Sequence, residues 1–467
     1  MSKTKKNLLI ILLAIPFVIF LLQRFFSPYT YDVKKNYQYS LKHTDAIVTN
    51  TYLRDGKIHL PKRERLNQSI FLKININTTL LGKYIQPSVD IKSGTFSVTQ
   101  YFEHGAKGMR YINISSLISS HEEIKLQFDG KYVSLDDQTV QVVAFTNDEL
   151  NKQNSIFVLS PHPDDAEIAA YGLYSDYSKS YIITITAGDA GKCTYDEIYD
   201  NETEQYLKKG ELRTWNSITV PWLGGIHPEQ CVNLGFFDST LKKMFKNKRV
   251  NIPAIFTKHS NLGIYRKINI SSLSNGLSGE SNWNSLVDNL CYLLAKIKPS
   301  VIITPYPALD SHPDHKFASL ALFEAIKKSH LRSGSLYLYS NHFSLTEYFP
   351  YGKEGGVISL PPHFDSQIYF DRVYSHVLGS KKQKDKIFAL EAMNDLRLDT
   401  EWRFIIGNIK NLIKVSARKI LNRENNYYRR SVRSNELFFV VDIVNIYNEE
   451  IAKKITGNLY HTGGEKR

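Results

Sequence analysis

The sequence predicts an α/β domain, with a mostly parallel sheet and helices on both faces, behind a small β-sandwich and an N-terminal membrane anchor. Three patterns support this prediction. Between about residues 155 and 340, short apolar strands alternate with helix-like segments, as in repeated βα units. Residues 31–150 alternate apolar and polar side chains with the period of strands, and an apolar run precedes them. A chain of 467 residues is long enough for two domains with additional segments.

An anchor at residues 1–30 is predicted from a lysine-rich start followed by the apolar run 8–22. The run is short for a complete membrane span, but extension by a few residues allows one, with Arg24 reaching the interface. No small-residue cleavage pattern follows, which favours an uncleaved signal anchor over a removed signal peptide. The lysines predict a single pass with a cytoplasmic N-terminus and the rest of the chain on the outer, periplasmic or extracytoplasmic side, although Lys34 and Lys35 oppose this orientation.

Residues 31–150 are predicted to form the small β-sandwich. Apolar and polar residues alternate strictly over 72–76, as in a half-buried strand. Asp-Gly pairs at 55–56 and 129–130 each separate two such runs, which predicts tight hairpins. A polar linker follows at 147–154. The sequence leaves open whether this region binds a glycan or only spaces the next domain from the membrane.

Residues 151–445 are predicted to form the α/β domain, followed by a C-terminal tail at 446–467. We expect strands near 155–159, 181–186, 231–234, 301–304 and 335–339, and helices near 205–220, 286–297 and 315–328. The segment 241–280, rich in Lys, Asn and Ser, is predicted to be a long insertion. An apolar stripe over 402–421, with a basic opposite face, either packs on the domain or lies on an anionic membrane surface.

The charge balance and the cysteines restrict the partners and the compartment. The chain has 59 Lys and Arg against 46 Asp and Glu, a net charge of +13. This excess favours anionic lipid or glycan over nucleic acid, which we do not expect as a partner, and a solvated basic surface is the alternative. Three cysteines are too few for a disulfide framework. A Cys193–Cys231 bridge is compatible with an oxidising compartment, but nothing requires it.

Two short clusters of histidine and aspartate follow predicted strands. They are the motifs Pro161-His162-Pro163-Asp164-Asp165 and His312-Pro313-Asp314-His315. In an α/β sheet, sites form at the carboxyl ends of strands, so the clusters can converge although about 150 residues separate them. Together they exceed the three protein ligands that a catalytic zinc ion needs. The sequence therefore predicts metal-assisted hydrolysis.

Three of these residues form a candidate metal-binding set. His162 and Asp165 lie three residues apart across a strand-to-helix turn, so both side chains can face one point, and His315 supplies a third ligand. The alternative is structural, because Asp residues stabilise helix N-termini and a His-Pro-Asp-His run can begin a helix. The presence of both clusters at strand ends of one domain favours the metal site.

The other three residues are candidates for catalysis. Asp164 is free to act as a base on a water molecule whose pKa a metal ion has lowered. His312 can stabilise an oxyanion or protonate a leaving amine, and Asp314 can fix the tautomer of a neighbouring imidazole.

On these motifs the chain resembles the PIG-L/LmbE-like zinc-dependent N-acetylglucosaminyl deacetylases. The matching segments are Ser160 to Ile168, Thr186 to Gly191 and Asp310 to His315, and Glu436 to Phe438 resembles the closing strand of the family. The resemblance covers roughly residues 154–441. It implies a Rossmann-like fold that removes acetyl from the 2-acetamido group of a GlcNAc-type sugar.

The resemblance also implies roles for particular residues. His162, Asp165 and His315 would bind Zn²⁺, Asp164 would be the general base, His312 the electrostatic or acid catalyst, and Asp314 the orienting partner of His312. Arg213 and Asp238 would contact or position the substrate. The chain departs from the family pattern at two positions. Many members have Glu directly after the paired Asp, whereas this chain has Ala166 and then Glu167. Many members also have Glu three residues after the Arg, whereas this chain has Asn216.

The main hypothesis is a membrane-anchored zinc amide hydrolase that acts on an N-acetylated amino sugar within a polysaccharide or glycolipid. One alternative is a catalytically inactive glycan-binding or scaffold protein. Another is a related metal-dependent esterase.

Overall fold

The computed structural model describes residues 29–62, 67–118, 123–192, 195, 198–365, 367–393 and 427–459. Residues 1–28 of the predicted anchor and the apolar stripe at 402–421 lie outside these ranges. Among the described residues, no helix has both the length and the apolar character that crossing a membrane requires.

The first nine strands form two antiparallel sheets. Their bounds are β1 Ile47–Leu53, β2 Lys57–Leu60, β3 Gln68–Thr78, β4 Ser88–Ser93, β5 Phe96–Tyr101, β6 Lys107–Asn113, β7 Ile124–Lys131, β8 Val133–Ser134 and β9 Gln138–Thr146. One sheet has the order β1-β9-β3-β6, with β8 paired to β3, and the other has the order β2-β7-β4-β5. Apolar side chains of both sheets share one buried cluster, for example Ile74 of β3 and Leu126 of β7. The apolar residues of the alternating sequence pattern are therefore the ones that face the core between the sheets.

Only one of the two predicted hairpins exists. Asp55 and Gly56 connect β1 to β2 with φ of 50° and 68°, the positive values that a type I′ turn requires. The prediction at 129–130 is wrong, because Asp129 and Gly130 lie within β7 and pair with Asp90 and Val89 of β4. The chain turns after them, at Tyr132.

The α/β domain contains a seven-stranded sheet, which confirms the predicted α/β class. Its strands are β10 Ile156–Ser160, β11 Ser180–Thr186, β12 Cys231–Phe236, β13 Val301–Pro305, β14 Ser335–Tyr339, β15 Arg372–Val377 and β16 Asn435–Asp442. The order is β12-β11-β10-β13-β14-β16-β15. The first five strands are parallel, and β16 is antiparallel to both of its neighbours.

Helices cover both faces of this sheet. They are α1 Asp165–Ser175, α2 Glu202–Thr219, α3 Leu241–Lys246, α4 Gly263–Arg266, α5 Trp283–Ile297, α6 Pro313–Lys328, α7 Ser380–Glu391, α8 Tyr427–Arg430 and α9 Glu449–Thr456. Phe157 and Leu159 of β10 join one core with α5 and α6, whereas Ile156 and Val158 join the other core with α1 and α7. Because side chains of a strand alternate between faces, a fully buried strand is apolar throughout.

The position of β10 creates a cleft at the carboxyl edge of the sheet. The chain moves outward from β10 to β11 and β12, and then returns to place β13 on the other side of β10. Such a reversal of strand order is where open α/β sheets bind ligands. The two histidine and aspartate clusters follow β10 and β13, so both belong to this cleft.

The β-rich region packs directly against the α/β domain. Phe71, Val143 and Phe145, on the outward face of β3 and β9, belong to the same buried cluster as Phe157 of β10. Ser375 N donates a hydrogen bond to Ser69 Oγ at 2.8 Å. The two regions therefore share a continuous core.

Three connecting segments also pack on the α/β domain. In the predicted linker, Asp148 accepts a hydrogen bond of 2.6 Å from Arg372 Nη2. In the predicted insertion, Arg266 Nε donates to Leu234 O at 2.8 Å, which fixes α4 to the end of β12. The predicted tail includes α9, whose Ile455 is fully buried in the core. Cys231 is a buried free thiol, and Cys193 lies outside the described residues.

Candidate metal centre

The three predicted ligands meet at the cleft between β10 and β13. Asp165 Oδ2 lies 3.2 Å from His162 Nδ1 and 3.1 Å from His315 Nε2. The two imidazole nitrogens are 3.3 Å apart. Ligand bonds of about 2.0–2.1 Å in a tetrahedral zinc site place ligand atoms roughly 3.3–3.5 Å from each other. The triangle is therefore close to the size that such an ion needs, and all three side chains are buried.

Neighbouring side chains give further ligand combinations. Among the described residues, three groups hold ligand atoms within 4.8 Å of one another: His162, His312 and His315; Asp165, His315 and His342; and His162, Asp238 and Asp314. The groups share members, so they outline one extended donor cluster. His342 is exposed at its edge, in the loop after β14, and the sequence motifs did not indicate it.

Two residues that the sequence analysis gave no role orient the predicted ligands. Asp310 Oδ2 lies 3.0 Å from His315 Nδ1, which leaves Nε2 of His315 for a metal. Asn341 Nδ2 donates to Asp165 Oδ1 at 2.8 Å. Asp165 Oδ2 accepts the backbone N–H of His162 at 2.9 Å and is the oxygen that lies beside the two imidazoles. Asp310 begins the matched motif around His315, so the motif was a signal for it. No sequence pattern indicated Asn341, because only the fold brings the loop after β14 next to Asp165.

Two carboxylates face the opposite nitrogen of His162. His162 Nε2 lies 3.3 Å from Asp238 Oδ1 and 3.6 Å from Asp314 Oδ2. Asp314 also accepts a hydrogen bond of 2.6 Å from Ser239 N. The resemblance implied that Asp314 orients His312, but the observed contacts place Asp314 on His162 instead. His312 precedes α6, whereas Asp314 lies in its first turn.

The electrostatics of the cluster favour a cation. Burial alone would lower the pKa of His315, but Asp165 and Asp310 raise it to about 10. Burial alone would raise the pKa of Asp165, but His315 and His162 hold it well below its usual range. Asp238 behaves in the same way, since His162 holds its pKa below the ordinary value despite burial. Buried carboxylates that stabilise protonated imidazoles would equally stabilise a metal ion.

Asp164, the predicted base, pairs with Arg213. Arg213 Nη2 donates to Asp164 Oδ1 at 3.2 Å, and both side chains are mostly buried. Arg213 reaches the site from α2 across Gly188, whose φ is 65°. A Cβ atom at position 188 would lie 2.8 Å from the guanidinium carbon. Glycine is therefore required there both for its backbone conformation and for the approach of Arg213.

His312 lies beside the cluster and has a nitrogen without a hydrogen-bond partner among the described residues. Its ring centroid is 4.8 Å from that of His162 and 4.9 Å from that of His315. Among the described residues, His312 Nδ1 is buried and has no hydrogen-bond partner. Burial lowers the pKa of His312 to about 3, and the neighbouring imidazoles act in the same direction. A neutral ring with an unsatisfied buried nitrogen is suited to a ligand that brings its own polar atom.

Comparisons with known proteins give one matching family and several similar solved structures. The family described as PIG-L, GlcNAc-PI de-N-acetylase, matches residues 157–326. Similar solved structures include the A40926 pseudoaglycone deacetylase Dbv21, with 16% identity, 62% of this chain and 98% of that chain covered, and a TM-score of 0.32. A zinc-inhibited form of the teicoplanin deacetylase Orf2 has 12% identity, the same coverages and a TM-score of 0.34.

The conserved protein TT1542 from Thermus thermophilus has 17% identity, 61% of this chain and 94% of that chain covered, and a TM-score of 0.30. No curated protein matches the sequence. The matched segment begins in β10 and ends in α6, so it contains both clusters. Residues 157–326 therefore match the PIG-L family of de-N-acetylases, and this match indicates a hydrolase of the N-deacetylase type.

Proposed function

We propose that the protein removes acetyl from the 2-acetamido group of a GlcNAc-type sugar within a polysaccharide or glycolipid. The observation that carries this proposal is the triangle of His162, Asp165 and His315 with a buried carboxylate, Asp164, beside it. Hydrolysis of an amide needs a polarised carbonyl, an activated water molecule and a protonated leaving amine. The donor cluster provides a group for each of these needs.

Zn²⁺ fits the donor set of two imidazoles and one carboxylate. His162, Asp165 and His315 would hold it, with Asp310 and Asn341 orienting the ligands. When bound, such an ion supplies Lewis-acid polarisation of the substrate carbonyl and lowers the pKa of a water molecule.

The side chains around this set perform the proton transfers. Asp164 accepts a proton from the attacking water, and Arg213 holds the carboxylate in place through its hydrogen bond. His312 presents its unpaired Nδ1 to the developing oxyanion or to the leaving nitrogen, and the proton that Asp164 has taken passes to this nitrogen as the C–N bond breaks. Asp238 lies at the other side of His162 and is in reach of a sugar hydroxyl that enters the cleft. Arg213 acts here mainly as a positioning residue, because its contact is with the base.

We also propose that residues 1–30 anchor the protein in a membrane, with the N-terminus in the cytoplasm and the catalytic domain on the outer side. The support is the sequence: a lysine-rich start, the apolar run 8–22 and no cleavage pattern after it.

Acetate release from chitooligosaccharides by the purified full chain tests the catalytic proposal. We expect activity that chelation abolishes and that Zn²⁺ restores, with about one zinc ion bound per chain. Asp164→Asn should reduce the turnover number by roughly 100-fold or more and leave zinc content unchanged. Asp288→Asn, on the exposed surface, is the control.

The same assay separates the alternatives. A folded protein that contains zinc but does not release acetate from any N-acetylated sugar would contradict the proposal and favour the scaffold alternative. Hydrolysis of acetyl esters without hydrolysis of acetamides would identify an esterase instead. Unchanged acetate release by the Asp164→Asn variant would disprove the assigned base.

A further inference from the structure

One end of the β-rich region exposes four large apolar side chains. Leu80, Leu81, Ile85 and Tyr132 are 69%, 56%, 45% and 37% exposed. They form one group, because Ile85 N donates to Leu81 O at 2.8 Å and Thr79 N donates to Tyr132 O at 3.0 Å. Single exposed apolar residues are common on protein surfaces, but a contiguous group of them indicates a contact surface. We call this group the apolar end.

Exposed basic side chains lie near the apolar end. Lys83 lies within the same turn and is exposed, as are Lys34, Lys35 and Lys107 on the adjoining segments. Lys107 N donates to Val33 O at 3.2 Å, which holds the segment with Lys34 and Lys35 against the strand that begins at Lys107. Asp32 is an exposed carboxylate among them. An apolar group with basic side chains nearby matches the surface of an anionic bilayer.

The chain enters the folded region at the same end. Tyr29, the first described residue, has its hydroxyl 3.3 Å from His104 Nδ1. The neighbouring Gly105 N donates to Gly82 O at 2.9 Å, within the turn that carries Leu80 and Leu81. The apolar run 8–22 ends only a few residues before Tyr29 in the sequence.

We propose that the apolar end inserts into the headgroup region of an anionic phospholipid membrane. This inference rests on the proposed N-terminal anchor, which brings the apolar end to the bilayer. It assigns a role to the β-rich region: the region does not simply space the catalytic domain from the membrane but sets its orientation on it.

The contact would also keep the catalytic cleft near the bilayer. Tyr29 forms a β-bridge with Thr346, four residues after His342 at the edge of the donor cluster. Four extended residues span at most about 14 Å, so the cleft lies within a short distance of the point where the chain would leave the membrane.

Fluorescence quenching in the reconstituted full chain tests the proposal. The variants Leu81→Trp and Phe96→Trp each add a tryptophan at an exposed apolar position of the same pair of sheets. Phe96 is the matched control, because it lies at the opposite end of the hairpin formed by β4 and β5. The vesicles contain phosphatidylcholine and phosphatidylglycerol with brominated acyl chains, and emission of the unmodified chain is subtracted.

We expect the bromine atoms to quench the added emission of the L81W variant and to leave that of the F96W variant unchanged. Vesicles of phosphatidylcholine alone should quench the L81W variant less, because the lysines lose their anionic partner. Equal emission of the two variants in vesicles that carry the protein would overturn the proposal while leaving the anchor intact. If the full chain does not float with vesicles at all, the anchor fails, and the surface assignment fails with it.

Discussion

Asp310 Oδ2 lies 3.0 Å from His315 Nδ1, and neither side chain has any exposed area. The same carboxylate accepts the backbone N–H groups of Asn341 and His342 through Oδ2 and that of His312 through Oδ1. One buried carboxylate therefore fixes the ring of a proposed metal ligand and the two loops that border the cleft. This arrangement makes Asp310 a test of how the site is built.

We predict that Asp310→Asn weakens zinc binding by about 10- to 100-fold, because an amide cannot hold the imidazole of His315 as the carboxylate does. Competition with a zinc-sensitive chelator gives the affinity. Asp288→Asn removes a carboxylate of an exposed ion pair and should leave zinc binding unchanged. An unaltered affinity in the Asp310 variant would show that His315 does not depend on this contact.

Gly188→Ala should displace Arg213 and reduce activity. A Cβ atom at position 188 would meet the guanidinium at 2.8 Å, so the arginine must move away from Asp164. Gly225→Ala is the matched control, since Gly225 also has a positive φ, of 85°, and has no atom within 4 Å of its added Cβ. Both variants should lose about 1–2 kcal/mol of stability from backbone strain. Only Gly188→Ala should also lower the turnover number, and equal activities of the two variants would contradict the role of Arg213.

Lys386→Met should destabilise the protein strongly. Lys386 Nζ donates to Glu436 Oε1 at 2.8 Å, and the side chains are only 1% and 3% exposed. Removing one partner of a buried ion pair costs about 3–5 kcal/mol, because the remaining buried charge loses its counter-charge. Lys328→Met, which removes an exposed ion pair with Asp288, should cost at most about 1 kcal/mol. Urea unfolding measures both values, and similar small losses would contradict the prediction.

The ion pair of Lys386 and Glu436 also binds backbone groups of α1 near an irregular turn. Ala170 has non-helical angles, φ −141° and ψ 15°. Near this point Glu436 accepts the N–H groups of Gly172 and Leu173, and Lys386 donates to the carbonyl of Ile168. Since α1 begins at Asp165 and Asp164 is its N-cap, this pair supports the helix on which both carboxylates depend.

Asp176→Asn should reduce stability in a pH-dependent way. Burial alone would raise the pKa of Asp176, but hydrogen bonds from His376 and Lys382 lower it to about 2. A lowered pKa in the folded state stabilises the protein above the unfolded value near pH 4, and this stabilisation disappears as the pH falls toward 2. The side chain is 42% exposed, so solvent screening limits the effect to about 1 kcal/mol.

Urea unfolding of the Asp176 variant and the unmodified protein between pH 7 and pH 3 gives the difference directly. The difference in free energy of unfolding should be largest at neutral pH and should shrink as the medium becomes acidic. A difference that is constant across this range would mean that the carboxylate charge is not the cause.

The order of elements in the α/β domain was predictable from sequence, because its strands are short apolar runs between amphipathic helices. The observed β14 has the bounds of the predicted strand at 335–339. Placement of the clusters at strand ends was also predictable, since each follows an apolar run. Contacts between elements that are distant in the sequence were not predictable. The bond from Asn341 to Asp165 joins the loop after β14 to the start of α1, and no local pattern encodes it.

The prediction of turns from local sequence was wrong where the same residues pair within a sheet. The Asp-Gly pair at 129–130 has the composition of a hairpin, yet β4 pairs with both residues and keeps them in β7. Asp314 shows the same limit in the site. The family resemblance suggested His312 as its partner, but Asp314 Oδ2 lies 3.6 Å from His162 Nε2.

The shared core of Phe71, Phe145 and Phe157 means that the smallest independently stable unit is longer than the family match. A fragment cut just before β10 would expose the phenylalanine-rich face that now covers the α/β domain, including Phe370, which packs against Phe145 with ring centroids 6.2 Å apart. Such a fragment should aggregate, however complete its donor cluster is. For protein engineers, the β-rich region is therefore part of the enzyme's own scaffold, and a transplant of the catalytic site must carry it along.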